Sequence, residues 1–191
     1  MNPDPVYSFV YRGLLAKTSI ASALGKQTDR NDRIAKMVER IPFDLMDDQT
    51  VLQAKEMSIV FTAICAFENS ARDFVSRRLL EEIGDEWWEK SVPEKRRTKA
   101  ESRRDEENKI RWHAKRGDSP LEYTEIGDLS AIITTNQEIF SPFIPSVEWS
   151  KNIFRTVEYS RNVIMHSGSL EPEDIERLAI SMRDWLNQIG G

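Results

Sequence analysis

The chain has 191 residues and a mass of 22.1 kDa, which is enough for one well-buried core with at most a small appendage. Hydrophobic residues make up 39% of it and charged residues 31%, a balance typical of a soluble globular protein and not of a disordered chain. Only 8 Gly and 8 Pro are present, and no segment alternates between polar and apolar residues, so the sequence predicts an all-α fold.

The cysteine count and the first twenty residues bear on the cellular compartment. Cys65 is the single cysteine and cannot form an intramolecular disulfide, so nothing points to an oxidising compartment. Asp4 precedes the first apolar residues, and Arg12 and Lys17 interrupt them, which fits neither a signal peptide nor a spanning helix. We therefore expect a cytoplasmic protein without a membrane partner.

The charge is unevenly distributed along the chain. The net charge is −5, yet the stretch from 89 to 116 holds eleven Lys and Arg against six Asp and Glu, a local charge of +5. A concentrated basic segment can bind a polyanion such as RNA whatever the total charge. The candidate RNA contacts in it are Arg103, Arg104, Lys109 and Arg111. A solvated surface helix or arm remains the alternative for this segment.

The first part of the chain predicts two helices. Apolar residues at helical spacing indicate a helix over 6–24 that closes at Gly25. A shorter helix follows through Ile34 and Ile41, and Pro42 stops it. We expect residues 1–46 to form a helical extension packed on the core of a second unit, residues 47–191.

A long central helix is predicted from about Asp48 to Ile83, because this stretch contains no Pro or Gly and its apolar residues recur at helical spacing. Gly84 should end it. On this helix Glu68 and Arg72 stand four residues apart, so their side chains meet on one face. They form either an ion pair or a support for a functional site.

The middle of the chain combines a tryptophan pair with charged and helical segments. Trp87 and Trp88 are predicted to pack on the core. Residues 94–116 form a charged helix, within an inserted segment 89–119, whose chief apolar anchors would be Ile110 and Trp112. The next helix spans 123–140, and its acids Glu125 and Asp128 look isolated. No metal site and no cofactor are expected, because no cofactor motif and no carboxylate cluster appear.

Two helices close the chain. One runs from Val147 to about His166 and ends at Ser167 and Gly168, and the last begins with Pro172 in its first turn. His166 is one of only two histidines, and histidine is the side chain that titrates near neutral pH. Arg161 stands five residues earlier.

A helical wheel groups the polar residues of the 147–166 helix into a strip. Arg155, Tyr159, Asn162 and His166 fall within an arc of roughly 60°, opposite the apolar face, whereas Arg161 falls about 140° from His166. The strip suits RNA cleavage by internal attack, which needs a base, an acid and a cation near the phosphate. Since one histidine cannot easily perform both proton transfers, we expect a homodimer that places two strips face to face.

The stretch Arg161-Asn162-Val163-Ile164-Met165-His166 resembles the R-(polar)-x-x-x-H pattern of the HEPN superfamily, which consists of all-helical domains. The position of the motif supports the likeness, because the match closes a helix, a Ser-Gly break and one amphipathic helix follow, and a long helix precedes. The likeness covers roughly residues 48–189. The stretches 84–88 and 121–129 are similar to the HEPN branch fused to RNA-surveillance nucleases.

The resemblance implies a HEPN-like helical bundle that acts as a metal-independent endoribonuclease in a toxin, defence or RNA-processing system. It implies that Arg161 and His166 are the catalytic pair, that Asn162 positions the phosphate or holds the histidine, and that two protomers share the site. Glu68, Arg155 and Tyr159 are additions from the helical patterns.

Several alternatives stay open at the level of the sequence. His166 could instead cap the carbonyls at the end of its helix. The whole domain could be a non-catalytic RNA-binding or nucleotide-binding module, paired with a nucleotidyltransferase, or a helical scaffold whose polar strip only makes a dimer interface. An antitoxin is a further possible partner.

Overall fold

The computed structural model describes residues 30–190, which are built from helices and short turns and contain no β-strand. The predicted all-α class is therefore confirmed. The chain divides into two compact units, Met1–Leu52 and Gln53–Gly191. The helix expected over 6–24 lies outside the described residues, and the packing of 1–46 on the core stays a prediction.

The described part of the first unit contains helix α1, residues 30–40, and a 3-10 turn, Phe43–Leu45. Helix α1 ends just before Pro42, because a residue that precedes proline is pushed out of the helical backbone region. The apolar side chains Ile34, Met37 and Val38 are all exposed.

Helix α2 spans Asp48–Ile83, as the sequence predicts. It starts at Asp47, whose carboxylate accepts hydrogen bonds from the backbone N–H and the hydroxyl of Thr50, both at 2.8 Å. These hydrogen bonds lower the pKa of Asp47. The helix ends at Gly84, which has a left-handed φ of 82° and donates its N–H to Leu80.

The second unit is organised around the part of α2 that it contains. The buried side chains of α2 are Val60, Ile64, Phe67, Glu68, Ala71, Phe74, Val75 and Leu79. An 18-residue window of α2 has a mean hydropathy of 1.3 and would be long and apolar enough to cross a bilayer. Core helices of soluble proteins share that property, and the buried apolar residues of α2 belong to the core cluster.

Helices α3, Trp87–Ser91, and α4, Glu94–Lys109, follow. Trp88 is buried, and Trp87 packs partly buried against the core, as expected. The sequence prediction that helix continues to 116 is wrong, because α4 ends at Lys109. The carboxylate of Glu107 instead binds Arg116, which turns the chain back on the end of the helix.

The predicted helix over 123–140 is interrupted. A 3-10 turn, Pro120–Tyr123, precedes helix α5, Ile126–Thr135, and α6 covers Gln137–Phe140. The interruption falls at Asn136, whose side-chain amide donates to the carbonyl of Ser91 at 2.9 Å. This long-range hydrogen bond is absent from the local sequence pattern that suggested one helix.

Helices α7, Val147–Met165, and α8, Pro172–Ile189, complete the bundle, and α7 packs against both α5 and α8. The fully buried ring of Trp185 lies at the centre of an aromatic cluster. Its neighbours, with ring centroids between 4.7 and 6.2 Å away, are Phe67, Phe74, Trp149 and Phe154. This cluster fixes α7 against α2 and α8.

Candidate functional site

Helix α7 carries most of the predicted site residues. It begins at Ser146, whose hydroxyl accepts a hydrogen bond from the backbone N–H of Trp149 at 3.1 Å. Its inner face buries Ile153, Phe154 and Val157. Because this face is fixed in the core, the opposite face of the helix has a defined orientation.

A Schellman motif ends α7 at the histidine. His166 is the C-cap residue, and the N–H groups of Ser167 and Gly168 donate to the carbonyls of Ile164 and Val163 at 3.0 and 2.9 Å. Ser167 takes the left-handed conformation, with φ of 62°, that glycine usually occupies in this motif. A Cβ at Gly168 would lie 2.8 Å from a methyl carbon of Val163, so the turn needs glycine there.

The His166 side chain is exposed and forms no hydrogen bond or ion pair with any of residues 30–190. Its backbone N–H does continue the helix by donating to Asn162. The alternative in which the imidazole caps the last carbonyls is therefore not what the structure shows. Both ring nitrogens are available to a second molecule.

The other strip residues are also exposed. Arg155, Asn162 and His166 face solvent, and the Tyr159 side chain between them is 65% exposed. Arg155 and Tyr159 border a groove of about 490 Å³ between α5 and α7, together with Ser130 of α5. The strip thus continues into a groove whose lining includes hydroxyl groups, the cations Lys151 and Arg155, and the carboxylate of Glu158.

Arg161 lies apart from the strip. Its Nε is 3.2 Å from Oε1 of Glu68 on α2, and its side chain is 37% exposed. The N–H is not aligned on that oxygen, so the contact is an ion pair, and Oε1 of Glu68 stays buried without a hydrogen bond. No contact joins Arg161 to His166 within the described part of one chain.

Glu68 holds two arginines at once. Its other oxygen, Oε2, lies 3.0 Å from an Nη of Arg72, as their spacing predicts. The same guanidinium nitrogen donates to the carbonyl of Thr124, just before α5, at 3.2 Å. The carboxylate therefore links α2, α7 and the start of α5, and it fixes where Arg161 points.

Cys65, one turn before Glu68, is a member of this cluster that the sequence analysis missed. Burial raises the pKa of the Cys65 thiol, the Glu68 carboxylate raises it further, and Arg161 and Arg72 act in the opposite direction. The thiol is thus a poor nucleophile but a reporter of the charges around it. The three-residue spacing to Glu68 was the only available signal.

The basic segment divides into inward and outward residues. Arg104, Lys109 and Arg111 are exposed, as RNA contacts would have to be. Arg103 instead turns inward, where it binds Glu125 at 2.8 Å and donates to the carbonyl of Tyr123 at 2.8 Å. Its expected role as an RNA contact is therefore not supported by its position.

Asp128 explains the inward arginines. Its side chain is 3% exposed, and it binds Arg96 at 2.7 Å and Arg103 at 3.4 Å. It also accepts the backbone N–H of Glu125 at 3.0 Å, which caps α5. The interpretation of Glu125 and Asp128 as isolated acids is wrong, because these ion pairs, with the buried Ala100, tie α4 to α5.

Residues 30–190 contain no group of three or more His, Cys, Asp or Glu side chains that could hold a metal ion.

A family model described as Swt1-like HEPN matches residues 63–190. The match contains the end of α7 and the helix that follows it, and it also contains α4, which was predicted to belong to an inserted segment. No curated protein and no solved structure matches the chain.

Proposed function

Because the chain belongs to the Swt1-like HEPN family, we propose that it is a metal-independent endoribonuclease that acts as a homodimer. One observation carries the proposal. The end of α7 presents an imidazole, His166, with no hydrogen bond or ion pair within residues 30–190, and a guanidinium, Arg161, that a buried carboxylate holds in place.

The two groups fit cleavage by internal attack. A neutral imidazole takes the proton of the 2′-hydroxyl, the 2′-oxygen bonds to phosphorus, and the P–O5′ bond breaks to give a cyclic phosphate and a 5′-hydroxyl once that oxygen is protonated. Arg161 stabilises the charge that gathers on the phosphate oxygens. Asn162, exposed beside His166, donates hydrogen bonds to the same phosphate.

The dimer follows from the separation of these groups. In one chain Arg161 faces Glu68 and His166 faces solvent, so one copy offers a single imidazole for two proton transfers. A two-fold axis through the exposed face of α7 supplies a second imidazole. We propose that the dimeric enzyme is a cytoplasmic toxin or antiviral effector, held in check by an antitoxin or a nucleotidyltransferase partner.

Cleavage without divalent metal tests the proposal. Purified wild type, Arg161→Ala and His166→Ala are incubated in EDTA with an RNA and with the same strand carrying 2′-deoxyribose throughout. Wild type should cleave only the RNA and leave cyclic phosphate ends, and each variant should be slower by about 100-fold or more. Arg183→Ala, at an exposed arginine of α8, is the matched control and should cleave normally.

Two results would end the catalytic proposal: no cleavage by wild type in EDTA, or equal cleavage by wild type and by both variants. The dimer has its own test. Activity measured at protein concentrations matched to sedimentation runs should fall as the dimer dissociates, and a monomer that cleaves at full rate would exclude the shared site.

A second candidate is a non-catalytic module that binds RNA or a nucleotide. The contact that favours it is the pairing of Arg161 with Glu68, because this pairing leaves the arginine partly neutralised in one chain. Such a module would bind RNA, and the binding would survive His166→Ala, but no variant and no wild type would cleave it.

A further inference from the structure

Trp112 is the most exposed large hydrophobic side chain in residues 30–190, at 86%. It lies in the loop 109–116, which begins at the last residue of α4. Trp112 and Ile110 were predicted to be the apolar anchors of this segment, and both are exposed instead. A tryptophan this exposed packs little against the described residues, so most of its ring is free to contact a second molecule.

The loop is held in a defined conformation. Nε of Arg116 binds Glu107 at 2.7 Å, and the backbone N–H of Arg116 donates to the same carboxylate at 3.1 Å. The ammonium of Lys115 donates to the side chain of Asn108 at 2.5 Å. The ring of His113 meets that of Trp112 edge-on, with centroids 5.6 Å apart. An edge-on neighbour supports the indole ring without lying parallel to it.

The loop is also the place where unpaired positive charge collects. Residues 108–117 contain Lys109, Arg111, Lys115 and Arg116 and no acid. Lys109 and Arg111 are exposed and have no ion-pair partner among the described residues. On α4, Arg103 is turned inward to Asp128, and the exposed cations Lys95, Lys99 and Arg104 stand among acidic residues, whereas 108–117 combines exposed cations with no acid.

An open aromatic ring between cations matches the requirements of single-stranded nucleic acid, whose bases stack on the ring while cations contact the backbone. Duplex RNA keeps its bases stacked on one another and cannot use the ring in this way. A membrane surface fits less well, since binding in the interface needs several apolar side chains on one face. Only the half-exposed Ile110 accompanies Trp112 here.

We propose that the loop 109–116 is a stacking platform for single-stranded RNA, with Trp112 as the ring that receives a base and Lys109 and Arg111 as its phosphate contacts. The choice of RNA rests on the proposed function. The platform contributes affinity and a preference for unpaired strands, and it takes no part in the cleavage step.

Binding in the absence of cleavage tests the platform. Full-length His166→Ala is titrated into a fluorescently labelled, unstructured RNA of about 12 nucleotides, and anisotropy gives the Kd. Adding Trp112→Ala should weaken binding about tenfold, because removal of one stacked base has an effect of that order. Trp112→Phe should restore most of the affinity, and Ile110→Ala is the matched control in the same loop.

Intrinsic fluorescence gives a second measurement. Of the five tryptophans, Trp112 is the exposed one in the loop, so quenching by RNA should disappear in Trp112→Phe while its affinity stays high. The substitution at so exposed a site should not disturb folding, which thermal unfolding checks.

An unchanged Kd in Trp112→Ala overturns the inference, as does equal weakening for single-stranded and duplex RNA. The inference is also overturned if Trp112→Ala loses binding to vesicles of phosphatidylglycerol and phosphatidylcholine while its RNA binding is unchanged. That result would assign the loop to a membrane. These readouts need no turnover. A wild type that binds through Trp112 but never cleaves leaves the platform standing and removes only the catalytic proposal.

Discussion

Replacing Glu68 by glutamine tests whether the carboxylate between the two arginines organises the site. Glutamine keeps the shape of the side chain but removes its charge, and one of its terminal atoms becomes an N–H donor that faces a guanidinium. The side chain of Glu68 is 11% exposed, so water cannot fully replace the lost interaction. We expect a loss of stability and a freer Arg161.

The size of the loss depends on how exposed each arginine is. The Arg72 side chain is 16% exposed, and a charge pair about 4 Å apart at an effective dielectric constant of 20 is worth about 4 kcal/mol. Arg161 is 37% exposed, which moves its pair toward the value in water of about 1 kcal/mol. Relief from burying the carboxylate returns several kcal/mol, so the net loss should be about 2 kcal/mol, or about 6 °C in Tm.

Chemical denaturation of wild type, Glu68→Gln, Arg161→Ala and the double variant measures these terms. The double-mutant cycle should give a coupling of about 1 kcal/mol between Glu68 and Arg161. Glu158→Gln is the matched control, because Glu158 is a partly buried glutamate on α7 that forms no ion pair within residues 30–190. This substitution should change the free energy of unfolding by less than about 0.5 kcal/mol. Cleavage by Glu68→Gln should fall by about 10- to 100-fold, since misplacing a catalytic group has an effect of that order.

Two outcomes would refute this reasoning. If Glu68→Gln unfolds at the same denaturant concentration as wild type, the two ion pairs contribute nothing net to stability. If Arg161→Ala has the same effect with and without the Glu68 charge, the 3.2 Å contact does not hold Arg161 in solution.

Three further predictions concern the surroundings of the site. Asp128→Asn leaves two arginines of α4 around a neutral, buried side chain, so thermal unfolding should show that the free energy of unfolding falls by about 3 kcal/mol. A fall of less than about 1 kcal/mol would contradict the role of the ion pairs. Arg161→Ala should raise the already elevated pKa of Cys65 and so slow alkylation of the thiol by iodoacetamide near pH 8, whereas Glu68→Gln should speed it. An unchanged pH profile of alkylation in both variants would place these groups too far from the thiol. Ser167→Gly should stabilise the protein by about 0.5 kcal/mol in urea denaturation, because glycine adopts the left-handed conformation without strain, and a loss of stability would show that the serine is not strained.

The elements that local pattern determines could be predicted from the sequence. Helix α2 follows from 35 residues without Gly or Pro after Asp48 and from a glycine at its end, and its bounds agree with the structure. The end of α7 at His166 likewise follows from the Ser-Gly pair. Breaks caused by distant partners could not be predicted. Asn136 interrupts a helical pattern because it reaches Ser91, 45 residues earlier, and no window around Asn136 contains that information.

The site shows the same limit for charged groups. The spacing of Glu68 and Arg72 was enough to predict their contact, because four residues on a helix fix two side chains on one face. Counting charges identified the basic segment, but it could not distinguish Arg103, which forms ion pairs at the start of α5, from Arg111, which faces solvent. That distinction depends on Asp128, which pairs with arginines of another helix.

The position of Arg161 links the stability of the fold to the proposed chemistry. While Glu68 compensates its charge, Arg161 can offer a phosphate only part of its attraction, so binding of a polyanion has to compete with the carboxylate. Arg72 makes this competition possible, because Glu68 keeps one strong partner when Arg161 leaves. A dimer that brings the strip of one chain near Arg161 of the other would add positive charge around Glu68 and a phosphate beside it. Because Glu68 also fixes the direction of Arg161, we expect the loss of positioning in Glu68→Gln to outweigh the relief from this competition, so that cleavage falls.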